Sequence, residues 1–376
     1  MIYHLSVHLM VYVSGSRVMT YITSRAGAAA VLSFFICIFL GPWIINKMTL
    51  AGYIDVPRQD GPDAHKHKPP TPSLGGLIIL PAILLSTLLF ARLDLAQTWV
   101  VAGVTAWMGL IGLWDDMLKK KAGKKGLIPR NKLIGQVTAG LVIGVLLFYA
   151  PNWISPEFAA IKTATTVPFL KNSYLNFAPF GWGILYIAMI VVIITGTTNS
   201  ANLTDGIDGL AAGLVGIVAV GMAILSYVSG HAVFSKYLGI VYLPGSGELS
   251  VFCAAMVGAC MGFLWWNGPP AKIYMGDVGS LALGGGLATV AILTKKELFL
   301  FVMGGLFVME SVSVLLQTSY FKWTRKRYGQ GRRIFKMAPY HHHFQQLGWP
   351  DDRVVVRFWI IGIILLFLTL TSFKVR

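Results

Sequence analysis

Long apolar runs separated by short polar stretches dominate this chain. They fall at roughly 28 to 45, 74 to 92, 97 to 114, 133 to 150, 181 to 196, 207 to 228, 249 to 266, 278 to 293, 298 to 320 and 354 to 373. Each is close to the ~20 residues a helix needs to cross a bilayer. The runs are continuous rather than alternating in polarity, which excludes a membrane β-barrel. The pattern predicts an all-α integral membrane protein of about ten transmembrane helices, a single polytopic domain over residues 1–376. Residues 1–27 lack the basic start, clean apolar core and small-residue cleavage site of a signal peptide. An amphipathic interfacial segment is expected there instead.

Composition agrees: 55% of residues are hydrophobic and 12% charged, with a mean hydropathy of +0.67, too apolar for a soluble domain. The net charge of +16 is unevenly placed. Lys47, Arg58, Lys66 and Lys68 follow the first run; Lys119, Lys120, Lys121, Lys124, Lys125, Arg130 and Lys132 follow the third; a dense set extends from Lys322 to Arg357. Basic loops stay in the cytoplasm, so the loops at about 46–73, 115–132, 197–206, 267–277 and 321–352 are expected on that side. With ten spans, both termini then lie outside, in the periplasm. The charge suits anionic lipid and an anionic substrate, and no nucleic-acid partner is expected. Cys37, Cys253 and Cys260 all fall within apolar runs, so neither a disulfide nor a cysteine metal site is expected.

The acids are placed more selectively. Asp115 and Asp116 close the third run, where a helix C-terminus already presents partial negative charge, and neighbouring carboxylates repel each other. Asn199, Asn202, Asp205 and Asp208 crowd the start of the sixth run, and Asp277 opens the eighth. Capping alone would suit an Asp at either of these helix starts. Topology argues for more, because all five acids land on the cytoplasmic surface while Asp94, Glu157, Glu248 and Glu297 fall outside. Several acids with few bases among them suggest a divalent cation, and oxygen ligands beside helix starts suit Mg²⁺ shared with a phosphate. Consecutive His341, His342 and His343 lack the spacing that aims two rings at one zinc from one helix; one or two of them are expected to touch substrate. Lys68 and Ser73, in a proline-rich loop ending at Gly75-Gly76, suit phosphate contact or, equally, loop charge and a helix cap. Glu310 lies inside the ninth run, where an ionisable group is expensive; an interhelical hydrogen bond is its expected role.

Taken together, Trp114-Asp115-Asp116, Asn199 through Asp208, Met275-Gly276-Asp277-Val278-Gly279-Ser280 and Ala338-Pro339-Tyr340-His341-His342-His343 resemble the motifs of bacterial phospho-N-acetylmuramoyl-pentapeptide transferases. These are members of the polyprenyl-phosphate N-acetylhexosamine-1-phosphate transferase superfamily. The resemblance covers nearly the whole chain, and the histidine loop followed by Gly348-Trp349-Pro350 is similar to the muramoyl branch. It implies transfer of phospho-N-acetylmuramoyl-pentapeptide from its UDP carrier to undecaprenyl phosphate, yielding lipid I and UMP with Mg²⁺ at the cytoplasmic face of the bacterial inner membrane. It also implies a homodimer. By matching position, Asp277 resembles a direct Mg²⁺ ligand, with Asp115 and Asp116 beside the metal and the lipid phosphate. Asn199, Asn202, Asp205, Asp208 and Asn267 resemble nucleotide-facing groups. Lys68 and His341 through His343 resemble substrate contacts, and Lys119 through Lys125 would add positive charge. Direct attack by the lipid phosphate is favoured over an aspartyl-phosphate route, since a phosphate monoester with a second pKa near ~6 is already largely dianionic at neutral pH. The alternatives are a related transferase using UDP-N-acetylglucosamine and an ion-coupled transporter. Against the transporter, the acids gather at one surface rather than at the bilayer midplane.

Overall fold

The computed structural model describes residues 1–9, 14–55, 70–121, 126–170, 173–178 and 183–373. In a hydrocarbon surrounding, only a helix pairs its own backbone groups within one segment, and the apolar runs fold accordingly. In chain order the helices are α1 (Ile2–Leu9), α2 (Ile22–Leu50), α3 (Gly76–Phe90), α4 (Ala96–Lys121), α5 (Pro129–Tyr149), α6 (Pro156–Ala160), α7 (Ile184–Thr204), α8 (Leu210–Ser229), α9 (Ala232–Leu238), α10 (Leu249–Asn267), α11 (Gly276–Leu293), α12 (Glu297–Met303), α13 (Gly305–Tyr328), α14 (Tyr340–Gln345) and α15 (Asp351–Thr371).

Among the described residues, eight helices are long and apolar enough to cross a membrane: α2, α4, α5, α7, α8, α10, α11 and α15. Two of the ten expected spans take other forms. The run at 74–92 becomes the 15-residue α3, ~22 Å long at the helical rise and short of a ~30 Å hydrocarbon core. The run at 298–320 is broken, α12 and α13 meeting at 79°, with adjacent Gly304 and Gly305 at the break, where sharp kinks commonly form. If this pair is one span, the count is nine. The first long helix begins at Ile22, so part of the expected interfacial segment belongs to α2, and α1 and a 3₁₀ turn at Ser14–Thr20 come before it.

Two short ribbons interrupt the helical pattern: β1 (Ile54–Asp55) pairs antiparallel with β2 (Thr71–Pro72), and β3 (Ala164–Thr166) with β4 (Tyr174–Asn176). Strands this short carry no readable alternation. The β3–β4 ribbon is fastened by polar groups to the link between α11 and α12 and to the first residue of α12. Thr165 Oγ1 donates to Glu297 Oε2 at 2.5 Å, Lys296 Nζ to Thr166 Oγ1 at 3.1 Å, and Thr166 Oγ1 to the Lys295 carbonyl.

Helix α11 is the axis of the fold, buried from Asp277 to Leu293 and packed by α4, α7, α3 and α8. Small residues allow this close packing: a Cβ on Gly284 would come within 2.7 Å of Thr198 Cα. At one end of the bundle Arg25 and Glu248 form a buried, two-pronged ion pair, Nη1 to Oε2 at 2.5 Å and Nη2 to Oε1 at 2.6 Å. Arg25 Nη1 also donates to the Phe90 carbonyl at 2.9 Å, and Arg92 N to Glu248 Oε2 at 3.0 Å. These bonds compensate the desolvation that a bare pair would suffer, and they join α2, α3 and the start of α10.

Candidate active site

The site forms where α4 and α11 touch backbone to backbone. A Cβ on Gly112 would run into the Asp277 carbonyl; only glycine permits the approach. One turn further along α4, Asp115 and Asp116 therefore face the first turn of α11. Carboxylate oxygens of Asp115, Asp116 and Asp277 lie within 4.8 Å of one another, all three residues buried. The sequence placed the aspartate pair at a helix C-terminus, and this is corrected: α4 continues to Lys121. The dipole fades within the last turn, and the nearby charge that matters is a lysine one turn on. Lys119 Nζ is 2.9 Å from Asp115 Oδ2, 2.9 Å from Asp116 Oδ1 and 3.1 Å from Asp277 Oδ2. Backbone donors fix two of the carboxylates, Leu127 N to Asp115 Oδ1 at 2.6 Å and Val278 N to Asp116 Oδ2 at 3.2 Å.

A second layer comes from α5 and α7, which pair through matched polar spacings. Lys132 and Gln136 stand one turn apart on α5, and Asn199 and Asn202 nearly one turn apart on α7, so each pair shares a face. Lys132 Nζ donates to Asp277 Oδ2 at 2.6 Å and to Asn202 Oδ1 at 3.3 Å. Asn202 Nδ2 donates to Asp277 Oδ1 at 2.8 Å and to Ser280 Oγ at 2.9 Å. Asn199 and Gln136 exchange amide bonds at 2.7 and 3.2 Å. Sequence reading missed Lys132 and Gln136 as site residues. Their signal was a polar i, i+4 pair entering an apolar helix, hidden by the charge run before it.

Asp205 and Asp208 lie between α7 and α8, but the capping role open to them in the sequence is not the one they take. Gly209 caps α8 without any side-chain bond, and Asp208 Oδ2 accepts from Ala271 N at 3.2 Å. Burial, then the carboxylates of Asp277, Asp116 and Asp208, hold the Asp205 carboxyl well above its usual range. Asn267 is committed within the protein: Oδ1 accepts from Gly209 N at 2.9 Å and Nδ2 donates to the Ile273 carbonyl at 2.9 Å. It ties the 205–209 turn to the loop preceding α11.

The three histidines diverge. His341 is fully buried, its Nδ1 3.1 Å from Glu310 Oε2, its ring against Gly206. His342 Nδ1 lies 2.6 Å from Gln345 Oε1, while His343 accepts from Lys336 N at 3.2 Å and stacks on Tyr340. Among the lysines of the last turn of α4, Lys119 faces the acids, whereas Lys120 lies over the Tyr53 ring, 4.1 Å from its centre. Ser73 N donates to the Tyr53 carbonyl at 2.9 Å, and Gly75 and Gly76 donate to the carbonyls of Tyr274 and Met275 at 2.8 Å, so this loop end abuts the Asp277 motif. Lys68, Lys124 and Lys125 lie outside the described residues.

The donor set fits a small, hard divalent cation: three carboxylates from two helices, clustered within 4.8 Å. Among the described residues no histidine or cysteine joins the cluster, so zinc's preferred ligands are not assembled there. Asp115, Asp116 and Asp277 outnumber the two ammonium groups of Lys119 and Lys132 by one charge, which leaves the cluster acidic.

Known proteins are similar to this chain over nearly its whole length. The profile of Glycosyl transferase family 4 matches residues 98–295. A phospho-N-acetylmuramoyl-pentapeptide-transferase of Thermodesulfovibrio yellowstonii is 44% identical over 381 aligned positions, covering both chains completely. Proteins of the same name from Chlorobium phaeobacteroides and Gemmatimonas aurantiaca are 45% and 46% identical, with 96% of each chain covered.

Proposed function

The chain belongs to the phospho-N-acetylmuramoyl-pentapeptide transferase family, and from that membership we propose that the cluster of Asp115, Asp116 and Asp277 is its reaction centre. The enzyme is a multi-pass membrane protein that transfers phospho-N-acetylmuramoyl-pentapeptide from its UDP carrier to undecaprenyl phosphate, forming lipid I and UMP in peptidoglycan biosynthesis. An oxygen of the lipid phosphate forms a bond to the sugar-bearing phosphorus, and the bond from that phosphorus to UMP breaks. Both reactants are anions, so a bare acidic cluster would repel them.

Asp277, with Asp115 and Asp116 beside it, would hold Mg²⁺, which supplies charge neutralisation between the two phosphates. The chain's own residues do the rest. Lys119 and Lys132 both bring positive charge to Asp277 Oδ2, and Asn202 and Val278 N fix the rotamers of Asp277 and Asp116. Asp115 orients the lipid phosphate or takes its residual proton, in a direct attack without a phosphorylated enzyme. Asp205 and Asp208 border the nucleotide side, with Asn199 and Asn267 holding the helices and turn that carry them. Ser73, at the loop end beside the Asp277 motif, and Lys68 meet phosphate, and the histidine segment meets the donor.

The basic loops support an orientation with this end of the bundle in the cytoplasm; with α3 as a tenth crossing beside the eight long helices and the bent pair, both termini lie outside, in the inner membrane of a bacterium. A homodimer belongs to the same reading.

The observation that carries the proposal is the packing of three carboxylates within 4.8 Å beside two lysines. Formation of labelled lipid I by the purified protein, assayed with Mg²⁺ and with chelator, tests it. Full activity in chelator, or wild-type activity after Asp277→Asn, would remove the cluster from the reaction.

A further inference from the structure

Helix α13 carries a polar stripe whose members, Glu310, Gln317 and Thr324, recur every two turns and so share one face. Each accepts backbone N–H groups from the segment that returns antiparallel alongside it. Thr324 Oγ1 accepts from Arg332 N at 2.8 Å; Gln317 Oε1 accepts from Ile334 N and Phe335 N, both at 3.0 Å. Glu310 Oε1 and Oε2 accept from His341 N at 3.2 and 3.4 Å. Next to Glu310, Ser311 Oγ donates to Ser200 Oγ at 2.7 Å, so the same turn of α13 also grips the helix bearing Asn199 and Asn202.

Glu310 differs from the other two because its partner residue is a histidine. His341 Nδ1 is 3.1 Å from Glu310 Oε2, and both side chains are completely buried. Neither ring nitrogen makes a hydrogen bond among the described residues; Nδ1 has the nearby carboxylate as a charge contact, and Nε2 is equally buried. It lies against Gly206, where a Cβ would overlap it, in the turn that carries Asp205 and Asp208. A buried nitrogen without a partner is costly and calls for an explanation.

We infer that Glu310 is a positioning residue for donor binding, which sets the tautomer of His341 so that Nε2 presents a lone pair at the Asp205–Asp208 turn. A carboxylate has only acceptors. Facing the backbone N–H and Nδ1 together, it favours the proton on Nδ1 and leaves Nε2 as the acceptor. An amide cannot do this. If its oxygen takes the backbone N–H, its NH₂ faces Nδ1 and favours the opposite tautomer, with a proton on Nε2 directed at the turn. The ligand group that Nε2 meets is a hydrogen-bond donor, hydroxyl or amide, of the UDP-linked substrate. This rests on the placement of the donor proposed above.

The test measures lipid I formation with each substrate varied in turn, for Glu310→Gln, Glu310→Asp, His341→Ala and the Glu310→Gln/His341→Ala double variant, with melting temperature recorded alongside. Glu310→Gln is expected to raise KM for the UDP-linked donor at least tenfold while KM for undecaprenyl phosphate stays within twofold. Glu310→Asp keeps both acceptors and is expected to recover most of the loss; where Glu310→Gln fails to fold in detergent, the donor KM of His341→Ala alone still decides, since a wild-type value overturns the inference. In the double variant the donor KM is expected to match that of His341→Ala, because one residue acts through the other. Additive losses, or equal rises in both KM values, would overturn the inference and leave the reaction centre untouched. A wild-type donor KM in His341→Ala would overturn both the inference and the placement of the donor beside the histidine segment.

Discussion

Lys132 on α5 places its ammonium 2.6 Å from Asp277 Oδ2 on α11, although 145 positions separate the two in the chain. Both side chains are mostly buried, and removing one partner of such a pair leaves the other charge exposed to a poor solvent. Lys132→Met is expected to destabilise the enzyme by about 1–3 kcal/mol, with Lys119 retained as a remaining partner of Asp277. Mg²⁺ should restore more stability to the variant than to wild type, since a bound cation takes over the lost charge. Melting curves in detergent with and without Mg²⁺ check this; an equal Mg²⁺ effect on both proteins would count against a shared site.

Asp277→Asn keeps the shape but removes one charge and one hard ligand. Activity is expected to fall about a hundredfold, equivalent to ~2.7 kcal/mol in the barrier, and to recover partly at raised Mg²⁺. The measurement is rate against Mg²⁺ concentration. An unchanged midpoint would exclude Asp277 from metal binding.

Asp116→Asn should abolish transfer yet leave the protein no less thermostable in chelator. The three carboxylates repel one another within 4.8 Å, and an asparagine oxygen still accepts from Val278 N. An early melt would assign Asp116 a structural task beyond these contacts.

The direct mechanism is open to a pH test through Asp115. If Asp115 removes a residual proton from the lipid phosphate, Asp115→Asn should regain part of its rate as pH rises above ~6 and the phosphate ionises unaided. UMP should not leave the UDP-linked donor while the lipid is withheld. A burst of UMP without acceptor, or a phosphoryl group trapped on Asp115 or Asp116, would replace direct attack by a two-step route.

Asp205 makes a prediction of opposite sign from an ordinary paired carboxylate. Its folded pKa is raised, so the folded state holds the proton more tightly than the unfolded one. The stability this gives is complete below the unfolded pKa of ~3.9 and is lost as pH rises through the folded value. In chelator, Asp205→Asn is expected to melt no earlier than wild type at pH 5 and later at pH 8. A variant that melts earlier at pH 8 would contradict the raised pKa.

Much of this molecule was readable from residues alone, because bilayer-length apolar runs have few other ways to fold. Asp115, Asp116 and Asp277 stood out for the same reason: acids beside apolar runs need a cause. What stayed hidden was pairing between distant segments. Nothing in the local pattern joins Lys132 to Asp277, or Glu310 to His341, since each contact depends on which helices become neighbours. The sequence also could not show that α4 runs on past Asp116, as Lys119 to Lys121 continue a helix as readily as they begin a loop. Gly304 and Gly305 were visible as a permitted bend, but glycine serves packing as often as bending, and only the fold distinguishes the two.

The pin between Arg25 and Glu248 has a consequence for how the protein is made. Arg25 leaves the ribosome 223 residues ahead of its carboxylate partner, a wait of about 10–45 s at 5–20 residues per second. Its other acceptor, the Phe90 carbonyl, follows only 65 residues behind, about 3–13 s at the same pace. The hairpin of α2 and α3 is therefore the first place where the arginine can settle, and the start of α10 docks later onto a guanidinium already held in place.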